Sequence, residues 1–106
     1  LARITIVESA RKHGISDDEI RAVVSYPMLR TRLTQRLPET LPYPFIGNFD
    51  QDEPPIEVIA DLVDPAEWVV FHAMMLRPQM IRQLQLEELF EFGDLAYQRP
   101  GKESWS

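Results

Sequence analysis

Apolar positions along the chain follow two periods, and each period points to a different kind of element. Over residues 56–63, Ile56, Val58, Ala60 and Leu62 share one face of an alternating segment, the period-two pattern of a strand. Residues 68–75 read WVVFHAMM, a nearly continuous apolar run of the kind found in a strand covered on both faces. Residues 45–49, FIGNF, form a third strand-like segment. The intervening residues 50–55 are charged and hold two prolines, and Asp64-Pro65 marks a second turn. Three consecutive strands with short turns predict an antiparallel meander. In residues 28–36, Arg30 and Arg32 alternate with Leu29, Thr31 and Leu33, which suits an exposed edge strand and also fits helical spacing. Pro38, Pro42 and Pro44 are expected to exclude regular structure until about residue 45.

The ends of the chain carry helical signals. Residues 3–7, RITIV, read as a short strand or as the entry to a helix. Residues 8–13 are good helix formers with a basic end, and Gly14 sits where a left-handed residue would terminate them. Ser16 and Glu19 make a capping box, with Ile15 and Ile20 at the staple positions. Ile20, Val23 and Val24 form the buried stripe of the helix that follows, and Pro27 closes it by forcing Tyr26 out of helical geometry. Pro78 suits the first turn of a C-terminal helix over residues 78–92, ended by Gly93. The apolar positions of that helix drift: Met80, Ile81 and Leu84 lie on one side, Leu86, Leu89 and Phe90 largely on the other. The helix is therefore kinked near Gln85, buried on two sides, or shared with a partner. The expected architecture is α+β: two short N-terminal helices, an antiparallel sheet of three to four strands and a C-terminal helix. It forms one domain over residues 1–96, with a flexible polar tail over 97–106.

Composition adds boundaries. The 106 residues are 44% apolar and 26% charged, and none is cysteine, so disulfides and thiolate metal sites are excluded. No apolar run reaches the roughly 18–20 residues of a membrane-spanning helix, and no targeting pattern is seen. A soluble cytoplasmic protein with no membrane partner is expected. The net charge of −6 is unevenly spread. Residues 1–36 hold seven basic against four acidic side chains, and residues 37–106 hold four against thirteen. Such asymmetry either marks an anion-binding surface or reflects two ordinary solvated faces.

The sequence holds no nucleotide-binding glycine loop, no serine elbow and no zinc spacing. Its two histidines stand 59 positions apart, so neither a metal nor another cofactor is expected. His72 interrupts an apolar strand, and imidazole can serve as general acid or base near neutral pH. A histidine hydrogen-bonded purely for packing is the competing reading. Under uniform alternation His72 shares a face with Trp68, Val70 and Met74 while Arg77 takes the other. The two can cooperate only if the strand ends before Arg77. Arg11, Lys12 and His13 form a second basic cluster, suited to phosphate or simply to a solvated helix end. Arg30, Arg32 and Arg36 would extend such a patch along an RNA backbone.

Arg11-Lys12-His13-Gly14-Ile15-Ser16, followed by the capped acidic helix ending in Ser25-Tyr26-Pro27, resembles the opening of BrnT-type toxins, small RelE-like ribonucleases of bacterial toxin–antitoxin pairs. The later order is similar: Ile46-Gly47 opens a hairpin, residues 56–60 continue it, and the His72 strand leads into Arg77 and a last helix. The resemblance spans residues 6–82. It implies a RelE/BrnT-like fold with a curved antiparallel sheet and metal-independent cleavage of mRNA. Lys12, His13, His72 and Arg77 would be the catalytic groups, Arg11, Arg30 and Arg32 the RNA contacts, and an antitoxin protein the partner; no binding to DNA is expected of this chain alone. Arg77 matches the arginine at the end of the last strand in that family; His72 matches no assigned position. The net acidity, the proline-rich stretch over residues 37–44 and the acidic C-terminal extension depart from the family. A second expectation follows from the drifting helix: an interaction module without catalysis, binding a partner or a second copy through Leu86, Leu89 and Phe90.

Overall fold

The computed structural model describes residues 3–30, 42–90 and 95–99. In chain order the elements are strand β1 (Arg3–Ile6), one 3₁₀ turn (Glu8–Arg11), helix α1 (Asp17–Ser25), and strands β2 (Leu29–Arg30), β3 (Pro42–Gly47), β4 (Ile56–Asp64) and β5 (Glu67–Met75). Helix α2 (Pro78–Gln83) follows them. The strands form one sheet in the order β1-β5-β4-β3-β2. From β2 to β5 every neighbouring pair is antiparallel, so the expected meander is present. The sheet as a whole has five strands and is mixed, because β1 pairs with β5 in parallel, Arg3 opposite Glu67 and Ile6 opposite Val70. That departs from the expected antiparallel sheet of three to four strands. Four alternating residues specify a strand, but they specify neither its partner nor its direction.

The N-terminal signals are realised closely. Ser16 Oγ accepts from Glu19 N and Glu19 Oε1 from Ser16 N, a complete capping box. Ile15, Ile20 and Val23 are buried. Gly14 has φ 80°, where a side chain would be strained, and Tyr26 leaves helical geometry ahead of Pro27. The segment before Gly14 is a single 3₁₀ turn rather than an α-helix over residues 8–13.

Two apolar layers cover the sheet. Packed with α1 are Phe45, Ile56, Val58, Ala60, Trp68 and Val70; Phe45 is 1% exposed, and its burial stabilises by roughly 2–3 kcal/mol. On the other face Ile46, Ile59 and Leu76 pack with Met80 and Ile81 of α2. Strand β3 begins at Pro42, earlier than the prolines suggested. Pro42 and Pro44 share the parity of Ile46, whose carbonyl accepts from Met28 N on the β2 side. Their missing N–H groups therefore face away from β4 and leave that ladder intact.

Two local irregularities decide what faces what. Opposite β4, His72 pairs with Ile59 but Val70 pairs with Ala60, so Phe71 is an extra residue in β5. This bulge inverts the alternation. Trp68 and Val70 face α1, as do Ala73 and Met75 beyond the bulge, which sends His72 to the opposite face, that of Glu57 and Ile59. The uniform alternation expected to put His72 on the face of Trp68 and Val70 is corrected accordingly. The second irregularity is the end of α2. It stops after six residues, not at residue 92. Gln85 adopts φ 59°, Gln85 N donates to Arg82 O and Leu86 N to Ile81 O, the bond pair of a Schellman motif. The left-handed reversal turns Leu86 back onto the α2 core, which explains why the apolar positions lose helical register.

Candidate functional site

Glu57 stands between Ile56 and Val58 in β4 and is 0% exposed. Its two neighbours face α1, so it faces the α2 side. Strand β5 ends at Met75, and the chain turns so that Arg77 caps the start of α2. Glu57 Oε1 accepts from Arg77 N at 2.9 Å and Arg77 Nε at 3.0 Å. Glu57 Oε2 accepts from Arg77 Nη2 and makes a contact with His72 Nε2, both at 2.7 Å. These four partners fill the accepting capacity of a carboxylate. Burial pushes the Glu57 carboxyl pKa up, but the bonds from His72 and Arg77 outweigh that, and the net shift is downward. Glu57 is therefore an anion at neutral pH, and an anion only accepts. His72 Nε2 must be the donor, which leaves Nδ1 as the basic nitrogen of the neutral ring.

The second histidine arrives along the edge of β5. Past β1, Val7 N donates to Val70 O and Ser9 Oγ to Phe71 O, so the chain follows β5 across the bulge. The 3₁₀ turn then brings His13 against His72, with ring centroids 6.2 Å apart at 62°. Arg99 holds this corner from behind: Nη1 donates to Gly14 O and, with Nη2, to both oxygens of Glu19. Gln98 pairs its amide with the backbone N–H and carbonyl of Met75, occupying the edge of β5 that β1 does not reach. Both residues belong to the polar tail of the sequence reading.

The structure thus joins three of the four expected catalytic side chains. His72 and Arg77 meet on Glu57, His13 meets His72, and the side chains of His72 and Arg77 keep 21% and 25% exposure. Lys12 is exposed beside His13 in the chain, and among the described residues it makes no ion pair. The expected RNA contacts do not converge on this place. Arg11 gives its fork to Asp17 and a further nitrogen to Glu8, and these hydrogen bonds push its pKa upward. Arg30 lies opposite Phe45 on the α1 face, 5.9 Å from the Trp68 ring, a cation–π contact on the far side of the sheet. Arg32 and Arg36 lie outside the described residues, as does Gly93. Of the expected partner-binding residues, Leu86 and Phe90 pack into the α2 core, while Leu89 is 66% exposed.

Among the described residues no group of three or more His, Asp or Glu is arranged to hold a metal ion. What the arrangement offers is acid–base chemistry: an imidazole anchored through one nitrogen, a second imidazole beside it and a guanidinium with N–H groups to spare. The residue that sequence reasoning missed is Glu57. Its signal was a carboxylate directly between Ile56 and Val58, in the most apolar part of its strand, where an anion requires partners. No protein-family model, no curated protein and no solved structure matches the chain.

Proposed function

We propose that the chain is a toxin-like endoribonuclease that cleaves mRNA by side-chain acid–base catalysis without a metal, resembling the BrnT-type, RelE-like toxins. The supporting observation is the juxtaposition of His13 and His72, with Arg77 joined to His72 through Glu57. In the proposed reaction His72 Nδ1 takes the proton of a ribose 2′-hydroxyl, and the oxygen attacks the adjacent phosphorus. The P–O5′ bond breaks, His13 in its protonated form gives a proton to the departing oxygen, and a 2′,3′-cyclic phosphate is left. The Arg77 N–H groups that have no partner among the described residues face the charge that develops on phosphorus. Neutralisation by an antitoxin protein belongs to the same proposal and rests on the resemblance; residence in the cytoplasm is proposed alongside it.

The test is cleavage of defined RNA by purified protein, with growth arrest on expression as a second readout. His13→Ala and His72→Ala should each lower the cleavage rate by roughly 10²-fold or more, and the cyclic phosphate should appear as product. Unchanged rates in both variants would overturn the reading. A non-enzymatic binding role keeps one observation in its favour: Tyr26, Met28 and Phe49 are 84%, 58% and 50% exposed. Tyr26 and Met28 follow the end of α1, and Leu89, 66% exposed, adds apolar surface within residues 86–90. Sedimentation of the pure protein as a strict monomer would weigh against self-association there.

A further inference from the structure

We infer that Glu57 is the positioning residue of this site: one enclosed carboxylate holds the proton on His72 Nε2 and aims the Arg77 fork, so that both side chains present a fixed face outward. The role played for catalysis rests on the acid–base reading above; the positioning of the ring stands apart from it.

Three observations carry the inference. First, Glu57 has no exposed surface, so no substrate can reach it, and it can act only through the groups it holds. Second, its acceptor sites are divided between two oxygens. Oε1 takes Arg77 N and Nε, and Oε2 takes Arg77 Nη2 and His72 Nε2. Arg77 is clamped at backbone and side chain together, so its guanidinium plane is fixed, and among the described residues Nη1 and one N–H of Nη2 are left over. Third, Arg77 alone neutralises the carboxylate. His72 is not needed for charge balance, yet the bulge at Phe71 turns it onto this face. A carboxylate that accepts from one ring nitrogen selects the tautomer and the ring orientation of the other. In the neutral ring the nitrogen left without a proton is then Nδ1.

The experiment is two-dimensional NMR of protein labelled with ¹⁵N in the imidazoles, above the pH at which imidazole titrates, combined with the RNA cleavage assay. In the wild-type protein His72 should be a single tautomer, protonated at Nε2 and bare at Nδ1. Glu57→Gln should give a mixture of tautomers and lower kcat by roughly 10²-fold, with a smaller change in KM. Glu57→Asp, which keeps the anion, should recover part of that loss. A wild-type His72 protonated at Nδ1, or an equal mixture, overturns the positioning whatever the cleavage assay gives, and it needs no variant that must fold. A folded Glu57→Gln protein with the wild-type tautomer overturns it as well. A single Nε2–H tautomer in a protein that cleaves no RNA upholds the positioning of the ring and removes the ribonuclease reading instead.

Discussion

Two glutamates in this chain each hold an arginine with both carboxylate oxygens, and they differ in what else they hold. Glu19, 9% exposed, takes Nη1 and Nη2 of Arg99 and the backbone N–H of Ser16. Its remaining capacity goes into a helix cap, so it fastens the C-terminal segment to the start of α1. Glu57, fully enclosed, takes the Arg77 fork, the Arg77 backbone N–H and an imidazole. The first arrangement closes on itself, while the second ends in a titratable ring that reaches the surface beside another. An ion pair becomes a candidate for chemistry through the partner left over once the charge has been balanced.

The largest test of this contrast is stability. Glu57→Ala leaves Arg77 without its counter-charge and its backbone N–H without an acceptor, and should cost about 3–5 kcal/mol by denaturant unfolding. Glu19→Ala should cost less, because Arg99 can turn to water. Equal losses would remove the distinction between the two carboxylates. A smaller effect is expected in acid. The hydrogen bond from Arg99 lowers the Glu19 pKa from its ordinary 4.5 to about 2, against an upward push from burial, and Ser16 adds to the lowering. A lowered carboxyl pKa contributes stability above pH 4.5, and that contribution is lost as pH falls toward 2. It should be on the order of 2 kcal/mol once the exposure of Arg99 is allowed for. Arg99→Ala should flatten that part of the stability–pH curve. Glu57, whose pKa is also lowered, should contribute in the same sense, so the Arg99→Ala curve retains an acid limb. The smallest effect is at the cap. Ser16→Ala should cost about 1 kcal/mol and leave the His72 tautomer unchanged; a change there would show that the two regions are coupled.

How far the sequence reveals these regions follows from how local each signal is. The capping box, the glycine turn and the stop at Pro27 are settled within a few residues, and they stand in the structure as the residue types demand. The meander from residue 45 onward was legible because turn residues punctuate it. Glu57, by contrast, makes sense only with Arg77 and His72 around it, and they lie 20 and 15 positions away. The bulge at Phe71 leaves no composition signal, since Val69, Val70 and Phe71 are all apolar and the run shows no alternation to break. The shortness of α2 depends on Gln85 adopting a left-handed conformation that glycine would have announced. His13 and His72 could be named as candidates separately, but their meeting is a product of the parallel pairing of β1 with β5.

That pairing also sets a sequence of events during synthesis. Strand β1 leaves the ribosome before β5, yet among the described residues its neighbour in the sheet is built from residues 67–70. Until those residues emerge, β1 lacks that partner, and β pairing across such long sequence separation is intrinsically slow. The two imidazoles are therefore brought together only once β5 has been made, and a chain cut short before β5 would carry one of them with no place to put it.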